Sequence, residues 1–127
     1  MKLNIQNCRI VDLALKLKNK QETVKNTVIN SDISYQLNLC EDNKKANVLM
    51  SVSIDEHNDA CPLILKLTVG ANFVGEFNKE EISDIKVLCA NFIYPYLCES
   101  VRMVTMMAGY SPLNLPVQHF TEEMFQD

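Results

Sequence analysis

The chain has 127 residues, a formal charge of −4, 47% apolar residues and few glycines or prolines. Those totals fit one small globular domain and leave little room for long linkers or for an enzyme cleft with a separate lid. The acidic balance argues against nucleic acid, whose phosphates need a basic surface, and the single lysine-rich stretch, "KLKNK" at 16–20, reads as a solvated strand end or loop.

Four segments alternate apolar and polar residues with period two, the pattern of half-buried strands. The first spans about 3–17, with Leu3, Ile5, Val11, Leu13, Leu15 and Leu17 in one phase and Asn7 and Arg9 as exceptions. The mostly polar run 18–32 then crosses the surface to a second strand, "DISYQLNLC", which puts Ile33, Tyr35, Leu37 and Leu39 on one face. The third, "NVLMSVSI", aligns Val48, Met50, Val52 and Ile54. "DEHNDACP", 55–62, is polar and ends in proline, so it reads as a turn. The fourth, "LILKLTVGANF", aligns Leu63, Leu65, Leu67, Val69, Ala71 and Phe73. Gly70 and Gly75 follow no phosphate-loop pattern and read as a bulge or bend in that strand.

The period then changes. Asn78 with Glu81 three residues on forms a helix-start signature. Ile82, Ile85, Leu88, Cys89, Phe92, Ile93 and Tyr96 follow at helical spacing, and Gly109 supplies a stop after about Ala108. "YSPLNLP" reads as a loop with apolar teeth, and "FTEEMFQD" as a short closing helix with Thr121 as cap. The expected fold is α+β: a four-stranded antiparallel sheet with one long helix on one face and a short last helix.

The long helix raises two difficulties. Pro95 lies in its middle, where proline removes a backbone donor and crowds the preceding turn at about 3 kcal/mol. From Val87 to Met107 the only charges are Glu99 and Arg102. A helix lying on a sheet normally keeps a polar outer stripe. Either the chain covers this one wholly within its own domain, or a second copy does; the shortage of other structure favours the second copy.

Chemistry is sparse. His57 and His119 have no cysteine or carboxylate at triad or metal spacing, Asp55, Glu56 and Asp59 lack the calcium-loop pattern, and Glu80, Glu81 and Asp84 suit the helix dipole. The five cysteines, 8, 40, 61, 89 and 98, show no Cys-x-x-Cys spacing and read as reduced thiols of a cytosolic protein. No segment has the roughly 20 apolar residues of a membrane span, and "MKLNIQNC" has no signal-peptide core. The reading is a non-enzyme without cofactor or metal. What remains is apolar surface: Met103, Met106, Met107, Tyr110, Leu113 and Leu115 gather at the helix end and the loop.

One stretch, "YPYLCESVRMVTMMAGYSPLNLPVQHF", resembles the SecB protein-export chaperones. That family carries an aromatic-Pro-Tyr followed three residues later by an acid, here Tyr94, Pro95, Tyr96 and Glu99. It then has an aromatic near a proline and Leu-Asn-Leu, here Tyr110, Pro112, Leu113, Asn114 and Leu115. Pro116, one position early, and Phe120 match the family's proline and the Phe that opens its last helix. "LNIQNCRIVDLAL", "YQLNLC" and "GANF" agree more loosely with earlier segments, so the likeness covers nearly the whole chain.

The resemblance implies the fold above, a homotetramer built as a dimer of dimers with the long helices sandwiched between dimers, and ATP-independent binding of unfolded, export-bound polypeptides for transfer to the ATPase SecA. It implies client contacts at Tyr35, Leu37 and Leu39, and at Tyr110, Leu113 and Leu115. It makes Phe92, Tyr94, Pro95, Tyr96 and Val101 candidates for the subunit interface, with Asp12 as a SecA contact. Lys16 and Lys66 stand where the family carries acids, and no extended tail follows Asp127, so a chaperone dedicated to one client, such as an antitoxin, is the alternative.

Overall fold

The computed structural model describes residues 2–17, 31–40, 44–54, 63–109 and 112–125. His57, Cys61, the turn at 55–62 and Tyr110 lie outside them, as does most of the 18–32 crossing. Four strands, β1 (Lys2–Leu17), β2 (Asp32–Leu39), β3 (Lys45–Ile54) and β4 (Leu63–Glu76), form one antiparallel sheet in the order β1-β4-β3-β2. β1 and β2 are therefore its two edges, and the chain passes from one edge to the other between them.

Period-two patterning gives the sheet two unlike faces. The core face carries Ala46, Val48, Met50, Val52 and Ile54 from β3 and Leu63, Leu65, Leu67, Val69, Ala71 and Phe73 from β4, all buried. The opposite face is largely polar. Asn7, Asn72, Asn47 and Asn38 lie in one row across all four strands, and Asn72 donates to Asn7 Oδ1 at 3.1 Å. The Ser51 and Thr68 hydroxyls share a 2.7 Å hydrogen bond two rows further along this face, past Gly70.

β1 departs from strict alternation. Register shifts between Ile5 and Asn7 and between Ile10 and Asp12 leave Gln6 and Val11 without partners across from them. Each extra residue reverses the phase that follows. Cys8, opposite Ala71, and Ile10, opposite Val69, thereby take the core-face places that Asn7 and Arg9 would have occupied. This corrects the assignment of Val11 to the apolar phase: it lies over Gly70, where an added Cβ would come 2.8 Å from Val11 Cγ2. The glycine admits the bulge.

The helix starts as its signature predicts. Asn78 N–H donates to Glu81 Oε1 at 3.0 Å and Glu81 N–H to Asn78 O at 2.9 Å. A single 3-10 turn, Lys79–Glu81, leads into α1 (Ile82–Met107), which ends at Ala108 before Gly109 with φ 88°. α1 runs unbroken through Pro95, which lies on its exposed side, away from the sheet. The missing donor therefore falls on the side that has water as an alternative partner. Ile85, Cys89, Ala90, Ile93, Leu97 and Val101 form the buried stripe, set chiefly over β3 and β4. The closing helix is one 3-10 turn, Glu122–Phe125, with Met124 N–H bonded to Thr121 O.

Candidate polypeptide-binding surface

The two flanks of α1 are covered differently. On the flank toward β2, the segment 112–125 runs back along the helix. Thr105 Oγ1 bonds the Val101 carbonyl at 2.9 Å and accepts from Leu113 N–H at 3.0 Å. Tyr94 OH donates to Pro116 O at 2.6 Å. The Asn91 side-chain amide donates to Phe120 O at 2.9 Å and accepts from Phe120 N–H at 2.7 Å. The helix thus grips the returning backbone through three polar side chains of a largely apolar stretch. Rings complete the layer. Phe120 packs edge-on against Tyr94, with centroids 5.4 Å apart, and Phe125 lies 5.3 Å from Tyr35 and stacks on Phe120 at 6.1 Å.

Tyr35 belongs to edge strand β2, and its hydroxyl donates to Lys86 O at 3.1 Å, tying the strand to the helix. Ile33, Tyr35, Leu37 and Leu39 are half-buried in a row along β2. Leu113 and Leu115 are also half-buried, further along α1 beside Thr105. Of the six expected client residues, Tyr110 lies outside the described residues; the structure joins Tyr35 to the C-terminal segment through Phe125, and it sets Leu113 and Leu115 on the same segment.

Burial controls the titration of this region. It raises the Tyr35 hydroxyl well above its ordinary value, helped by neighbouring Cys89, and pushes the Cys89 thiol up to about 12. Tyr94 is likewise raised, by burial first and by Cys98 second. These groups are therefore neutral at ordinary pH, and the surface is apolar with a few hydroxyl and amide handles. Cys8, Cys40, Cys89 and Cys98 are free thiols, and among the described residues no cluster of His, Cys, Asp and Glu is able to hold a metal.

The other flank of α1, toward β1, has no such cover among the described residues. Leu88, Phe92 and Met103 lie on it, with Phe92 50% exposed although its ring meets Phe73 edge-on at 5.6 Å. Across from them on β1, Ile5, Ile10 and Leu13 are exposed on the core face. Met106 and Met107 extend the apolar surface toward the helix end, Met107 being 83% exposed. Among the five residues expected at a subunit interface, Phe92 and Pro95 are exposed and Tyr96 half-buried. Tyr94 and Val101 are buried within the protomer: Tyr94 is covered by Phe120 and the Pro116 carbonyl, and Val101 is 0% exposed in the protomer's own core.

Asp12, Arg9, Lys16 and Lys66 are all exposed on the polar sheet face, as their partners Thr68, Gly70, Ile64 and Ala14 show. Asn91, Thr105, Phe120 and Phe125 were not singled out as contact residues from sequence. A signal existed for the first two: each is an uncharged polar residue inside an apolar helix, and such residues are retained when a hydrogen bond needs them.

The model of the family described as SecB, preprotein translocase subunit SecB, matches residues 1–127. The chain belongs to the SecB family. This is a family of chaperones rather than enzymes. Among solved structures, the SecB-like chaperone Rv1957 of Mycobacterium tuberculosis, in complex with a ChAD peptide from the Rv1956 HigA1 antitoxin, superposes with a TM-score of 0.67. It is 16% identical, and the match covers 91% of this chain and 87% of that one. A protein of unknown function from Streptococcus agalactiae gives a TM-score of 0.53 at 14% identity, covering 92% of this chain and 98% of the other. At these identities the likeness is one of fold. A search of curated protein sequences finds no match. Among the described residues, no helix is long and apolar enough to cross a membrane.

Proposed function

We propose that this SecB-family chain is an ATP-independent holdase of the cytoplasm that binds non-native polypeptide along the Tyr35, Leu37 and Leu39 row, with Leu113 and Leu115 extending the surface. The observation that carries this is the row itself. Alternate apolar side chains stand on an edge strand, beside a helix that already grips the returning backbone by hydrogen bonds. Extended chains bind such surfaces with little sequence specificity, through backbone pairing and shallow apolar pockets. The peptide bound by the mycobacterial chaperone supports a polypeptide as the class of client. Fluorescence anisotropy with a labelled, reduced and carboxymethylated protein tests it. Binding is expected for that form and not for the same protein folded, and it is expected to be unaffected by ATP; equal affinity for the folded form would end the holdase reading.

The uncovered flank of α1 supports assembly with further copies through Phe92, Pro95 and Tyr96, alongside Leu88, Met103 and the exposed residues of β1. A homotetramer follows by family likeness. Transfer to SecA through Asp12 is the finer part of the proposal. Arg9, Lys16 and Lys66 share the face of Asp12 and oppose a partner that docks on acidic surface. Those charges favour a second reading, a chaperone for one client such as an antitoxin, without SecA. Titration of SecA into the client complex separates the two: transfer supports export, and its absence together with a single partner in native pull-down supports the dedicated chaperone.

A further inference from the structure

The C-terminal segment lies along α1 in two differently held parts. Leu113 to Phe120 is fixed to Thr105, Tyr94 and Asn91 by the hydrogen bonds given above. Thr121–Phe125 makes none to the helix or the sheet among the described residues. Its hydrogen bonds are internal, Met124 N–H to Thr121 O and Thr121 N–H to Met124 Sδ at 3.5 Å. What seats it is the Phe125 ring on Tyr35 and Phe120. The boundary between the two parts is sharp, at Phe120, which is buried while Thr121 to Met124 are exposed.

The chemistry of that seat is what an unfolded client offers: an aromatic side chain in a segment of scattered apolar residues, "PLNLPVQHF" followed by "TEEMF". The partners that Asn91 and Tyr94 choose are backbone groups, which any extended chain supplies. The surface proposed for clients therefore holds a piece of its own chain in the resting molecule. We propose that Thr121–Phe125 is an internal competitor: Phe125 rests on Tyr35 in the place of a client's aromatic residue and leaves when a client binds, while Leu113 to Phe120 stays clamped. This rests on Tyr35 being a client contact, and it adds that access to Tyr35 is regulated from within the chain. A competitor that is seated most of the time lowers apparent affinity by the ratio of closed to open forms. A ring pair of ordinary strength sets that ratio at about threefold to tenfold.

The test uses the full chain and a reduced, carboxymethylated polypeptide lacking tryptophan as probe. Phe125→Ala is expected to bind the probe about threefold to tenfold more tightly than wild type, Phe125→Leu to fall between, and Tyr35→Ala to bind more weakly than wild type. Circular dichroism shows whether each is folded. A second readout exploits the lack of native tryptophan. Emission from F125W is expected to shift to the red and become more open to acrylamide quenching as probe saturates the protein. Probe binding with unmoved F125W emission, or weaker binding by Phe125→Ala, overturns the competitor and leaves polypeptide binding intact. Failure of wild type and Phe125→Ala alike to bind overturns both.

Discussion

The Asn91 clamp is the most exposed point of the structural account, because one side chain carries two short bonds to one residue. Asn91→Ala deletes both, at 2.9 and 2.7 Å, and leaves the Phe120 N–H and C=O without partners in a part-buried place. Each such bond contributes about 1 kcal/mol net, and an orphaned buried group costs at least as much. Loosening also endangers burial of the Phe120 ring, which is 5% exposed and meets Tyr94 edge-on. The expected loss is about 2–3 kcal/mol, read from urea unfolding followed by far-UV circular dichroism at one fixed protein concentration, since assembly makes apparent stability concentration-dependent. Asn91→Asp sharpens the test. A carboxylate still accepts from Phe120 N–H but sets an oxygen against Phe120 O where a donor stood. Its folded-state pKa is therefore raised, so the penalty is present at neutral pH and shrinks as pH falls through the carboxylate range and the protonated acid donates again. An Asn91→Ala loss below about 0.5 kcal/mol, or an Asn91→Asp penalty that ignores pH, would refute the clamp.

Other perturbations separate the parts of the fold. Tyr94→Phe keeps the ring against Phe120 and loses only the 2.6 Å bond to Pro116, so it should cost about 1 kcal/mol in the same assay. Gly70→Ala puts a Cβ against Val11 and Leu49 across a bulged strand, and should destabilise by about 1–3 kcal/mol, with relief when combined with Val11→Ala. Alkaline stability should follow the raised thiol and phenols. Cys89 has its folded-state pKa pushed from 9.0 to about 12, so its contribution is fully present below pH 9 and is lost as pH rises toward 12, at up to about 1.4 kcal/mol per pH unit. Cys89→Ala should flatten that decline in unfolding curves recorded between pH 8 and 11. Phe92→Asp places a charge on the uncovered flank, and should reduce the solution mass measured by light scattering without changing the circular dichroism spectrum.

Much of this architecture is legible in the residues alone, because the periods are clean. Strands β2, β3 and β4 keep one unbroken apolar phase, so their core faces follow directly, and Asn78, Glu81 and Gly109 mark the ends of the helix by local chemistry. β1 resists that reading at Asn7, Arg9 and Val11. A bulge is a relation between two strands, and a count along one strand sees only a broken alternation. The surface is legible in part. Tyr35, Leu37 and Leu39 follow from period two, with their role suggested by family likeness. The Asn91–Phe120 clamp and the Phe125–Tyr35 contact join residues far apart in the chain, and no spacing rule connects them. The apolar helix signalled a need for further cover, but not its side: the chain's own C-terminal segment closes the β2 flank, burying Tyr94, whereas no described segment lies over the β1 flank in the same way.

The claim that matters most is that this chain holds non-native polypeptide on the β2 row. Light scattering of a heat-unfolding client, in the presence of wild type and of Leu37→Asp, tests it directly. Wild type at equimolar ratio is expected to suppress aggregation without ATP. Leu37→Asp, with a charge in the half-buried middle of that row, is expected to lose most of the protection while keeping its fold and its assembly mass. Aggregation undiminished by wild type, or protection by Leu37→Asp equal to it, would contradict the account.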